Sequence, residues 1–164
     1  MFRLLTYLLV IIPMTVSACG LHQSTGLYFQ TEPGSLAVLE NIVEARKSNA
    51  LGNADKPEQF RLYLFMRKLA KDSSNAVSFS LFEAIKGHYR QVLVEPRLKI
   101  VSRETRPTQQ ELLVVTELDV LDALATGKLT WEQANNQGLI VINGNAHDVA
   151  KLEHWFASLF PAST

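Results

Sequence analysis

The chain of 164 residues has a single cysteine, at position 19. One thiol closes no internal disulfide and builds no thiolate zinc site by itself. Charge of one sign is also missing, since lysine plus arginine total 16 and aspartate plus glutamate total 16. A balanced chain sets up no field that draws nucleic acid or anionic lipid to it. No apolar run is long enough to cross a bilayer comfortably. G-x-S-x-G, H-E-x-x-H, a Walker loop and a dinucleotide fingerprint are all absent. The histidines form no useful ligand set: His147 and His154 are seven apart, whereas helical ligand pairs sit three or four apart. His88 has no nucleophile signature beside it in sequence. No catalytic residue, metal site or cofactor is therefore assigned, and the chain reads as a non-enzyme.

What is present is enough apolar material for a packed core, at 47% against 20% charged. The first residues have the order of a secretory signal. Arg3 precedes the apolar residues Leu4, Leu5, Leu8, Leu9, Val10, Ile11 and Ile12, which end near Pro13, and the small residues Ser17 and Ala18 follow. The next five-residue unit, Val16-Ser17-Ala18-Cys19-Gly20, resembles the lipobox of bacterial lipoproteins. That resemblance implies a signal peptide over 1–18, cleavage before Cys19, and a diacylglyceryl group on its thiol, with palmitate-like chains holding the protein to a membrane. Each buried methylene is worth about 0.8 kcal/mol, so two or three chains make a durable anchor. Gly20 stands where aspartate would favour inner-membrane retention. In a Gram-negative host this implies a periplasm-facing place on the outer membrane. Residues 19–34 read as a lipidated tether, punctuated by glycine, serine, threonine and proline and spanning on the order of 20 Å.

Residues 35–160 read as a single α+β domain. Its first part, 35–95, is expected to be mainly helical. Ser35 is placed to cap a helix over 35–48 whose Leu36, Leu39, Ile42 and Val43 share a face. A second helix is expected to open at Asp55, with Pro57 in its first turn and Glu58 completing a capping box. Leu62, Phe65, Met66 and Leu69 line its core side, and Arg61, Arg67, Lys68 and Lys71 the rest. Residues 77–81 alternate like a strand. Ser80 with Glu83, followed by Phe82, Ile85, Tyr89 and Val92, nevertheless has helical spacing. Where strand stops and helix starts is open at that point. Pro96 then divides two β-prone runs, at 92–94 and 98–101.

The later part reads strand, helix, helix, strand, helix. Residues 112–116 (LLVVT) suit a buried strand. A helix over 119–125 stops at Gly127, and Thr130 with Gln133 caps a short helix that ends at Gly138. Residues 139–142 form a strand, with Ile140 and Ile142 on one face and Leu139 and Val141 on the other. Asn145 and Asp148 open a last helix whose Val149, Leu152, Phe156 and Leu159 share a face. Trp131 is expected at the surface and Trp155 in the core. Pairing of the two late strands could be parallel or antiparallel.

The stretch ALATGKLTWEQANNQGLIVINGN, residues 123–145, resembles the C-terminal half of sterol carrier protein type-2-like domains. Gly127, Leu129, Ala134, Gly138, Ile140, Ile142, Gly144 and Asn145 fit that family's spacing, and the likeness extends over roughly 97–160. It implies a curved, mainly antiparallel sheet with helices over one face, and an apolar cavity that takes fatty acyl or sterol-like ligands. Leu139, Val141, Val149, Leu152 and Phe156 are the candidate walls of such a pocket. The family's N-terminal strands are expected to be shortened or missing. The function that follows is a membrane-anchored, non-catalytic lipoprotein that binds a lipid or other apolar ligand. The alternative is a lipoprotein acting as a protein-interaction module in an envelope assembly.

Overall fold

The computed structural model describes residues 30–52 and 55–162. The expected signal peptide, Cys19 and residues 20–29 of the expected tether lie outside the described residues. Helix α1 spans Ser35–Lys47. Its buried residues Ser35, Val38, Ile42 and Ala45 recur at helical spacing, so the core face differs from the expected one. Leu36 is 68% exposed and Val43 39%. Small Ser35 and Ala45 at the two ends let the chosen face approach the sheet closely. Ser35 does not cap the helix with its side chain. It is the first helical residue, and its hydroxyl accepts the Glu32 N–H at 3.1 Å.

Helix α2 spans Glu58–Leu69, starting later than Asp55, with no side-chain cap. Phe65 and Leu69 are its buried anchors. The expected capping box fails because the Glu58 carboxylate is turned to Lys86 and Arg90 instead of to its own N-terminus.

The main correction follows. Residues 80–92 form no helix. They fold as strands β1 (Phe79–Glu83) and β2 (His88–Leu93), joined by a turn at 84–87. Gly87 sits at φ 63° in that turn and donates its N–H to Glu83 O at 2.8 Å. The apolar spacing is compatible with both periods. Pairing of β1 with a strand on each side decides for the strand, since tertiary context overrides a weak local preference. Strand β3 (Lys99–Arg103) completes a meander. The helical part of the first half therefore ends at Leu69, and three strands follow where helix was expected.

The remaining elements are β4 (Leu113–Thr116), α3 (Leu118–Thr126), α4 (Trp131–Asn136), β5 (Val141–Asn143) and α5 (Ala146–Leu159). Gly127 ends α3 in the left-handed region at φ 76°. The Thr130–Gln133 capping box is present, and the Asn145 side chain accepts the Asp148 N–H at 3.0 Å to start α5. Strand β5 begins two residues later than expected, because Leu139 and Ile140 are drawn into the core ahead of it.

The five strands form one sheet in the order β3-β2-β1-β4-β5. The β1–β4 pair is parallel and the other pairs are antiparallel, including β4 with β5. Register and pleat assign the faces. Phe79, Leu81, Glu83, Arg90, Val92, Val114, Thr116 and Ile142 share one face; Ser80, Phe82, Tyr89, Arg103, Val115, Val141 and Asn143 share the other. On the first face Phe79 meets Phe156 of α5, and Arg90 meets Glu58 of α2. On the second lie residues 30–34 and then α1, fixed by Asn143 Nδ2 donating to Pro33 O at 3.0 Å and Asn41 Nδ2 donating to Gly138 O at 3.1 Å. The sheet is therefore covered on both sides, where the resemblance implied one.

Candidate functional site

The apolar layer between the first sheet face and α5 is the candidate ligand region. Phe156 is fully buried at its centre. The rings of Phe65, Phe79, Trp131, Trp155 and Phe160 stand 6.3, 5.7, 5.4, 6.0 and 5.6 Å from it, most of them edge-on. Phe65 and Phe160 stack at 6.1 Å. Trp131 thus belongs to the core and not to the surface, and Trp155 donates Nε1–H to Asp72 O at 2.7 Å. Edge-to-face rings at such spacings attract one another beyond their area burial, by about 0.5–1.5 kcal/mol per pair.

Of the five candidate wall residues, Leu152 and Phe156 meet in this layer, one helical turn apart and fully buried. Leu139 is buried just before β5, where its carbonyl accepts the Thr116 hydroxyl at 2.8 Å. Val149 is half-buried near Gly144, where an added Cβ would stand 3.7 Å from it and 3.1 Å from Leu112 Cδ1. Val141 is on the other sheet face, packed against Gly34, so the sheet separates it from Phe156. Half-buried Ile142 holds the corresponding place on the α5 side. The motif residues Leu129 and Ala134 are buried. Gly138 has φ 62°, and a Cβ there would come within 2.5 Å of Asn41 Nδ2. An open depression of about 410 Å³ lies elsewhere, bounded by Gln30, Gly87, His88, Tyr89, Arg103 and Glu104.

Sequence reasoning missed the charged groups at the β1–β2 end. Glu83, the last residue of β1, is fully buried and accepts Arg90 Nε–H at 2.6 Å. Arg90 also binds Glu58, and Lys86 bridges Glu58 at 2.5 Å and Glu83 at 3.4 Å. Next along the chain, Arg46 Nε pairs with Asp119 and Lys56 Nζ with Asp122, both at 2.6 Å. Burial pushes the Glu117 carboxyl above its ordinary range; the Ile85 N–H bond at 2.5 Å opposes this, while Glu83 and Asp119 reinforce it. Five of these contacts join sequence-distant residues, which no local spacing reveals. The one available signal was an acidic residue, Glu83, two positions beyond a run that alternates like a strand.

His88 stands between Ser102 and Glu83, with Nε2 3.4 Å from the hydroxyl and Nδ1 3.2 Å from Oε1. That is the order of a nucleophile, a base and an acid. A working relay needs a carboxylate available to balance the imidazolium. Here the same Oε1 is already held more closely by Arg90, so the trio reads as cross-strand packing of polar groups.

A second polar group fixes the segment ahead of α1. Glu32 is buried and accepts from the Tyr89 hydroxyl and from Arg106, at 2.8 Å from Nε and 3.1 Å from a terminal nitrogen. Burial, then the Glu32 contact, pushes the Tyr89 hydroxyl well above its usual range. Among the described residues, no group of three or more His, Cys, Asp or Glu is placed to hold a metal ion. No helix among them is long and apolar enough to cross a membrane.

No protein-family model matches the chain, and no curated protein matches it in sequence. Among solved structures it is similar to Sterol Carrier Protein 2 Like 2 from Aedes aegypti, at 20% identity over 58% of this chain and 93% of that one, TM-score 0.44. It is similar to the sterol carrier protein domain 2 of Helicoverpa armigera, at 20% identity over 69% and 99% of the two chains, TM-score 0.44. A third likeness is to palmitated SCP2L2 from Aedes aegypti, at 22% identity over 62% and 92%, TM-score 0.41.

Proposed function

We propose that the chain is a membrane-tethered, non-catalytic lipoprotein whose domain takes a lipid or other apolar ligand between its sheet and α5. One observation carries the reading: the layer around Phe156 is walled by Phe65, Phe79, Trp131, Leu152 and Phe160. Such a surface rewards acyl or sterol-like carbon and offers nothing to a polar substrate. These rings are packed together and buried, so on this reading an acyl chain has to displace them to enter. The Cys19 lipid anchor, a periplasm-facing place in the cell envelope and the outer membrane of a Gram-negative host belong to the same reading, on the strength of the lipobox. The protein is expected to retain fatty acids, sterols or phospholipids in native mass spectrometry after delipidation and refolding. Retention of none of the three classes would overturn ligand binding.

A specific observation favours a second reading. The rings around Phe156 already fill the layer, while α1 turns Leu36 and Val43 outward. A filled core beside an exposed apolar helix face suits an interaction module that holds a protein partner in an envelope assembly. Crosslinking from Lys68 in whole cells would then yield a heteromeric product, and recovery of monomer alone would count against it.

A further inference from the structure

The bilayer-facing side of the domain follows from where the tether meets the fold. We propose that the end of the sheet bearing the β1–β2 turn and the first two turns of α2 rests on the phospholipid leaflet that holds the anchor. This rests on the reading of Cys19 as the lipidated residue. Ten residues, 20–29, separate Cys19 from Gln30. Fully extended they reach about 35 Å, and as a flexible chain about 17 Å. The domain therefore stays within one domain diameter of the headgroups.

Gln30 is held at one end of the sheet. It borders the same depression as Gly87 and His88, and Glu32 two residues on is clamped by Tyr89 and Arg106. The clamp fixes where the chain leaves the fold, so the anchor is reached from this end of the sheet. The turn next to Gly87 carries Ile85, 41% exposed at its tip. Lys86 ties this turn to Glu58, the first residue of α2, at 2.5 Å. Phe60 and Tyr63 follow on α2's outer side, 48% and 47% exposed, with the Arg67 guanidinium 5.8 Å over the Tyr63 ring. Exposed aromatic rings with cations beside them suit the headgroup layer, where an apolar body and a charged tip are both satisfied. The Arg67 guanidinium supplies a positive charge on this side of α2 that complements anionic headgroups. Three apolar side chains without the anchor would not hold a protein to a membrane. Beside an anchor they set its orientation.

The test uses the full mature protein, purified lipidated and reconstituted in vesicles of phosphatidylethanolamine and phosphatidylglycerol. Ile85→Cys and Arg97→Cys each add one free thiol for an environment-sensitive fluorophore. Arg97 is exposed in the loop between β2 and β3, at the opposite end of the sheet. Brominated lipid is expected to quench the label at 85 at least about twofold more than the label at 97. Equal quenching, or more at 97, with an intact mass that includes the diacylglyceryl group, overturns the orientation and leaves the anchor standing. A blue-shifted label at 85 that brominated lipid does not quench reports contact between protein copies, and also overturns it. A mass without the lipid removes the anchor and the proposal together.

Discussion

Replacing Phe156 with alanine tests whether the helix–sheet layer is filled or open. The side chain is fully buried, and its five ring neighbours stand 5.4–6.3 Å away. Removing a ring from a closed core loses its transfer free energy and leaves a cavity, together about 3–5 kcal/mol. The ring pairs lost with it place the expected cost in the upper half of that range. With a urea dependence of about 2 kcal/mol per molar, a loss of about 4 kcal/mol moves the unfolding midpoint down by about 2 M. The assay is urea denaturation of residues 19–164 carrying Cys19→Ser, followed by far-ultraviolet circular dichroism, because Trp131 and Trp155 touch the substituted site. A cost below about 1.5 kcal/mol would refute the packing described above, since a residue lining open space leaves no new cavity.

Two further outcomes follow from the charged groups. Arg90→Ala strands the buried Glu83 carboxylate with only Lys86 and His88 beside it; the expected cost is about 3–5 kcal/mol, read by the same denaturation, and a loss under about 1 kcal/mol would refute the pair's role. Acid titration should expose Glu111, whose carboxyl is held down to about 2 by Arg103 and by the Thr108 N–H at 2.9 Å. Its folded value lies below the unfolded value of 4.5, so its stabilisation is complete above 4.5 and is lost as pH falls toward 2. Glu117 acts in the opposite sense, because its raised value sets its ionisation against folding as pH climbs past 4.5. Glu111→Gln should therefore flatten the acid limb of stability against pH, and an unchanged limb would show that Arg103 does not hold this carboxylate.

The later half of the fold was legible because its signals are local. Gly127 as a helix stop, the Thr130–Gln133 box and the Asn145 cap are each decided within four residues. The run 112–116 could be little else than a buried strand. The first half misled for a physical reason. Phe82, Ile85, Tyr89 and Val92 satisfy a helical repeat, and the pairing that makes 79–83 a strand comes from β2 and from β4, the latter some thirty residues away. In α1 the choice between two apolar faces depended on the sheet beneath, which a helical wheel does not contain. The candidate site was half visible. Leu152 and Phe156 were found from the face of α5, whereas Val141 was misplaced because β5 starts after a buried Leu139–Ile140 step. The partners of Glu83 and Glu32 depend on register across strands and on a strap folded back over the sheet, and composition holds no record of either.

The parallel pairing of β1 with β4 has a consequence for anyone dividing this chain. Residues 97–160 carry the recognisable glycine pattern and look like a portable fragment. Severed from the first half, β4 would keep β5 on one side and lose Ser80, Leu81, Phe82 and Glu83 on the other. A naked row of amide and carbonyl groups flanked by valines invites sticking to copies of itself. The two halves therefore fold as one indivisible piece, and a shortened version starting at 97 is expected to come out of cells as insoluble deposits.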